Sequence, residues 1–372
     1  MKPIEFILPV KVVMQPMKSL LLATFKGDHE FETLEPQIFD DPINGKGMRF
    51  LRHRRDGRVD VYWQSGVRVD RQIFGTGVGD YMETTIEPAR LEIDEHGVDC
   101  EVAFTDAQGR RVMLRVSENV AGKRPFPLLA PVSSDIQNPL TLLLVYMPRF
   151  NFVSRAGIVE GWIGERALQP DSIPLLLQGQ RVWLARYACH PITLGLINPP
   201  MHEPVQVAIS ALTSLETDGM RLETDAQRRL IHLSAGTHPQ QVVLDFSPGL
   251  VSLSELPDGG AAVGGWSVSI AGDAITGGRY RLARVEQRVE VELDVTEHWK
   301  PRSLPLGMNI LTRLVRMFRA WPTSYRWRGT VVLDDSPKLS GAWQRKEKVQ
   351  ELANQKTHKL SANDQQLKKI NP

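Results

Sequence analysis

The sequence predicts an all-β protein built from two related antiparallel units, each completed by one short helix. Three observations carry that expectation. Long stretches alternate apolar with charged residues, and turn-forming tetrads separate them. One part of the chain also echoes another. Residues 112–118 read V-M-L-R-V-S-E and residues 291–297 read V-E-L-D-V-T-E. Each leads into a Pro-containing apolar segment, KRPFPLLAP at 123–131 and KPRSLPLGM at 300–308. Each is then answered by a strand-like stretch, R-A-G-I-V at 155–159 and R-G-T-V-V at 328–332. An ordered echo of three elements reads as a duplicated β unit.

Taken in order, residues 48–64 form a hairpin. GMRFLRHRR and RVDVYWQS flank Asp56-Gly57, a strong two-residue turn signal. Residues 81–118 form the clearest meander, with Leu91 and Ile93, then Val98, Cys100, Val102 and Phe104, then Val112, Leu114 and Val116 on one face. D-E-H-G at 94–97 and D-A-Q-G at 106–109 are its turns. Asn138-Pro139 reads as a helix start, which predicts a short helix over 139–147, with a buried strand as the competing assignment. Further strands are expected within 141–153 and over 157–164, 181–188, 205–210, 228–233, 241–246, 265–271 and 279–287. In the second unit Val289, Val291, Leu293 and Val295 point one way, and Arg288, Glu290, Glu292 and Asp294 the other. Residues 306–321 have helical periodicity, with Asn309, Thr312, Arg313, Arg316 and Arg319 on the polar face, and Pro322 ends the helix. The expected organisation is a first unit over 1–165, a linker over 166–180, a second unit over 181–335 and a polar, basic, disordered tail over 336–372.

Composition sets outer bounds. A chain of 372 residues is long for one core and suits two of roughly 150 residues each. The net charge of +2 belongs to the tail: residues 343–372 carry seven Lys/Arg against three acids, so residues 1–342 sum to −2. The body has no basic excess, which argues against nucleic acid as a partner. Cys100 and Cys189 are too few for a disulfide framework and read as buried free thiols. The N-terminus lacks the continuous apolar run of a signal peptide, and no stretch approaches the roughly 18 apolar residues of a membrane span. The expected location is cytoplasmic.

Familiar catalytic motifs are absent. G-T-G-V-G-D at 75–80 does not fit G-x-G-x-x-G and precedes a strand, so no nucleotide cofactor is expected. The histidines have no metal-ligand spacing. Glu118 and Glu297 hold equivalent places in the echo. Because His298 follows Glu297, the second unit is the better candidate for acid–base chemistry, with Glu297, His298 and Asp294 as its residues. The densest aromatic and basic cluster joins T-E-H-W-K-P at 296–301 to W-P-T-S-Y-R-W-R at 321–328. There Trp299, Lys300, Trp321, Tyr325 and Trp327 are the expected ligand contacts.

The leading functional expectation is non-catalytic binding of a hydrophobic or amphipathic small molecule, in a barrel or between the units. Barrel closure of the lipocalin kind is one architecture that would provide it, by shape and not by sequence motif. A cofactor-independent enzyme is the second reading. The third is a peripheral membrane or scaffold protein, weakly associated with a membrane surface through the arginine helix and lysine tail.

Overall fold

The computed structural model describes residues 4–8, 11–74, 77–132, 141–174, 181–197, 205–209, 214–217, 220–236, 241–301, 304–314, 322–334 and 338–346. The strands of the first half are β1 (Ile4–Leu8), β2 (Lys11–Pro16), β3 (Ser19–Lys26), β4 (Phe31–Asp41), β5 (Gly45–Arg54), β6 (Val59–Trp63), β7 (Val78–Glu83), β8 (Ala89–Ile93), β9 (Gly97–Thr105), β10 (Arg111–Asn119), β11 (Phe126–Val132), β12 (Thr141–Ser154), β13 (Ile158–Ile163), β14 (Arg166–Pro170), β15 (Ser172–Pro174), β16 (Arg181–Cys189), β17 (Ile192–Ile197) and β18 (Val205–Ile209). Then follow β19 (Ser214–Thr217), β20 (Met220–Thr224), β21 (Leu230–Ala235), β22 (Val242–Leu250), β23 (Ala261–Ile270), β24 (Asp273–Val285), β25 (Arg288–Glu297), the helix α1 (Leu306–Leu314), β26 (Tyr325–Val332) and β27 (Lys338–Arg345).

The protein is all-β, with two large sheets. The first has the path β2-β17-β12-β16-β3-β14-β13-β10-β9-β8, with β4 to β7 branching from β3. The second is a meander in chain order, β19 to β27. Among the described residues neither sheet closes on itself. The turn signals are obeyed: Asp94 Oδ1 accepts the N–H of His96 and Gly97, and Asp106 Oδ1 accepts those of Gln108 and Arg110. Strand alternation is equally literal. β10 and β25 bury every second residue.

Two cores result. One lies between β3–β6 and β8–β10 with β13, where the Phe104 ring meets Phe50 and Tyr62 at 5.0 and 4.7 Å. The other is shared by the two sheets. Leu142, Leu144 and Tyr146 of β12 and Leu194 and Leu196 of β17 join Trp266, Val291, Trp327 and Trp343 in one cluster. Trp343 Nε1 donates to the Leu196 carbonyl at 2.8 Å, and the Trp299 ring meets Tyr146 edge-on at 6.3 Å.

The echo keeps its neighbours but not its register. β10 lies between β9 and β13, and β25 between β24 and β26. Val291 faces Gly329, whose counterpart in the echo is Ala156, yet Val112 faces Ile163. The helix expected over 139–147 is corrected: from Thr141 the chain is β12. Leu142, Leu144 and Tyr146 face the shared core while Leu143 and Val145, on the other face of the strand, are half-buried. Burial on both faces makes a strand read as a continuous apolar run. Among the described residues α1 is the one α-helix, and it lies in the second half of the chain.

The expected linker over 166–180 is corrected as far as it is described. β14 pairs with β13 and β3, and β15 with β16, so the change of sheet comes after β17. The expected tail begins later than 336, because β27 forms the last strand of the second sheet with Leu339 and Trp343 buried. Residues 347–372 and 315–321 lie outside the described residues.

Candidate functional site

The residues expected to act in the second unit do not assemble into one. Asp294 is engaged by Lys346 at 2.6 Å and Arg326 at 3.2 Å. Burial alone would raise its carboxyl, but these two cations outweigh it and hold it below the usual range. Glu297, His298 and Lys300 are exposed. Among the described residues no hydrogen bond or ion pair joins any two of Asp294, Glu297 and His298. Alternation along β26 is as expected: Tyr325 and Trp327 turn inward, while Arg326 and Arg328 pair with Glu292 on the outer face.

Tyr325 and Trp327 are 1% and 0% exposed, so neither ring offers a face to a ligand in this conformation. Trp327 lies over Gly329 and Gly341, which face each other across β26 and β27, and a Cβ on either would run into its ring. Trp299 is 7% exposed and its Nε1 has no partner within the described residues. Trp321 lies outside them.

The other member of the glutamate pair has a different environment. Glu118, at the end of β10, is buried. Its Oε1 accepts the Ser154 N–H at 2.7 Å, and its Oε2 is bound by Lys123 Nζ and the Tyr187 hydroxyl, the latter at 3.3 Å. Lys123 returns from the loop after β10, and its ammonium also lies over the Tyr187 ring. Of the two glutamates, Glu118 sits in a built polar site and Glu297 is exposed.

A shallow cleft, open to solvent, is lined by Lys123 and Tyr187 of this trio. Strand pairing explains its wall. Arg149 and Asn151 of β12 face Cys189 and Tyr187 of β16 in direct register, so four side chains share one patch. Ile93 and Pro125 add apolar surface, and Asp94 and Glu95 of the β8–β9 turn form an acidic rim. Arg149 is exposed and has no hydrogen-bonded or ion-paired partner among the described residues. Burial, then the Glu118 charge, pushes the Tyr187 phenol up, and burial raises the Cys189 thiol although Arg149 opposes it. Both groups therefore stay protonated near neutrality. Cys100 and Cys189 are free and buried, as the sequence implied.

A second polar interior lies in the first core. Arg52 is fully buried, with Nε 2.9 Å from Asp60, Nη1 2.8 Å from Asp106 and Nη2 3.3 Å from Asp80. Its plane covers the Phe31 ring at 4.0 Å. Arg54, Arg110 and Glu30 extend the network. Every one of these charges is paired, and the network ties β5, β6 and β7 to the β9–β10 turn. Its role is structural. The hairpin was in the sequence but its register was not: a two-residue turn at Asp56-Gly57 would set Arg52 opposite Val61, whereas Arg52 faces Asp60.

Comparison with known protein families, characterised proteins and solved structures finds no match for this chain.

Proposed function

We propose that the protein is a non-catalytic binding protein for a small amphipathic anion, held in the cleft between the β8–β9 turn, the Lys123 loop, β12 and β16. The observation that carries this reading is Arg149, a guanidinium without a partner among the described residues, on the cleft that Lys123 and Tyr187 also line beside the buried Glu118. A carboxylate would take bidentate bonds from Arg149 and a further donor from Asn151. Its apolar part would lie on Ile93 and Pro125. Asp94 and Glu95 line the same cleft and disfavour a ligand with a second negative charge. Binding is favoured over catalysis because the reactive groups are quenched. Tyr187 and Cys189 are held protonated, and Glu118 is consumed by Lys123 and the Ser154 N–H. The seam between the sheets, where the sequence suggested a pocket, is lined by packed core side chains.

The test uses 4-fluorobenzoate followed by fluorine NMR, with neutral 4-fluorobenzamide as the control. The carboxylate should broaden on addition of protein, and the amide much less. Arg149→Glu should weaken binding about tenfold or more, the worth of a charge-assisted hydrogen bond. Equal binding of both compounds, or an unchanged response in R149E, would contradict the reading.

A further inference from the structure

Strands β25 and β26 are direct antiparallel neighbours, so two to five residues would suffice to join them. The chain instead spends residues 298–324 on the connection, and α1 lies within it. That excursion holds five cations, Lys300, Arg302, Arg313, Arg316 and Arg319, and no carboxylate, in a chain whose net charge is only +2. Topology does not require it and composition does not explain it.

α1 also carries apolar side chains that stand in solvent. Met308 is its buried contact, at 8% exposure. Leu306, Ile310 and Leu314 follow at four-residue spacing and share one face. Leu306 and Leu314 are 74% and 73% exposed, the highest values among the exposed large hydrophobics of the described residues. Arg313 is exposed beside Leu314. Lone surface leucines need no explanation. Two leucines on one helical face, in a stretch carrying only positive charge, do. Apolar side chains flanked by arginines match one kind of partner, a bilayer surface with anionic headgroups, which takes the leucines into its acyl boundary and the guanidiniums at its phosphates.

We propose that the β25–β26 excursion docks the protein on anionic lipid through α1, with Leu306 and Leu314 inserted and Arg313 at the headgroups. This surface is independent of the cleft around Arg149, and the two readings fail separately. The test is co-sedimentation of the full chain with vesicles of phosphatidylcholine alone and of equal parts phosphatidylcholine and phosphatidylserine. The protein should sediment with the mixed vesicles and stay in solution with the neutral ones. Arg313→Glu should lower the partition coefficient about fivefold or more. Leu306→Ser with Leu314→Ser should lower it about tenfold or more. The altered side chains are exposed, so melting should not change, and Arg149→Glu should sediment as the parent protein does. No sedimentation, or equal sedimentation with both vesicles, would overturn the proposal. So would salt-sensitive binding that ignores the leucine substitutions, which would assign the basic stretch to a soluble polyanion instead.

Discussion

Replacing Trp327 by alanine is the sharpest probe of how the second sheet is built. The ring is fully buried, and its cross-strand partner is Trp343, also fully buried. Removing a buried tryptophan costs about 3–5 kcal/mol, and the upper end applies where the surroundings cannot collapse. Here they cannot: the ring lies over Gly329 and Gly341, which have no side chains to move into the space. A loss near 5 kcal/mol would be a large share of the roughly 5–15 kcal/mol that holds a typical protein folded. The same geometry sets the sign of a coupling. Gly341→Ala alone overpacks the site and should cost about 1–3 kcal/mol. In the Trp327→Ala background the clash with the ring is gone while the 2.8 Å approach to the Gly329 Cα remains, so the cost of the added methyl should shrink without reversing. Urea unfolding of the parent, both single variants and the double variant gives the coupling directly. Additive effects, or a loss below about 1 kcal/mol for Trp327→Ala, would refute the packing argument.

Arg52→Met should cost about 1–3 kcal/mol in urea unfolding, because Asp60 and Asp106 lose one guanidinium each while keeping Arg54 and Arg110. Acid should loosen the first sheet before the second. Burial raises the Asp106 and Glu30 carboxyls, but Arg52 and Arg110 on the one and Arg110 and Arg166 on the other leave both below their ordinary values of 3.8 and 4.5. Folded values below unfolded ones mean that this stabilisation is complete above those ordinary values and is lost as pH falls through the folded ones. Limited pepsin digestion of the unaltered protein at falling pH should cut within β4–β10 before β20–β27. Deleting 347–372 should leave the melting temperature unchanged, since that composition cannot bury enough apolar area to offset its ordering. Deleting from 338 removes β27 and Trp343 and should prevent stable folding of the second sheet.

Local features of the fold were legible because their causes are local. Asp94 and Asp106 bond the N–H groups of the next few residues, and the strands beside them alternate by geometry alone. Asp56-Gly57 marked a hairpin but not its register, which lies one residue from that of a two-residue turn and brings Asp60 instead of Val61 opposite Arg52. The approach of Asp80 and Asp106 to the same guanidinium was not legible, since β7 and the β9–β10 turn reach it through tertiary packing. β12 was ambiguous for a related reason: cover on both faces erases the alternation that marks a strand. Trp343 was read as part of a polar tail because Lys338, Ser340, Gln344 and Arg345 dominate the composition, while Leu339 and Trp343 alone carry the inward face. The glutamate pair is most instructive. Lys123 and Lys300 both follow their glutamates closely, yet only Lys123 folds back, onto a carboxylate that Tyr187 of β16 also reaches. Nothing near Glu118 in sequence announces Tyr187.

The claim that matters most is that Arg149 and the Lys123–Glu118–Tyr187 trio define a site for a small anion. Native mass spectrometry of the full chain with 4-fluorobenzoate, beside R149E under the same conditions, tests it most directly. A single retained equivalent in the parent protein and none in R149E is the predicted result. Equal retention by both, or none by either, would contradict it.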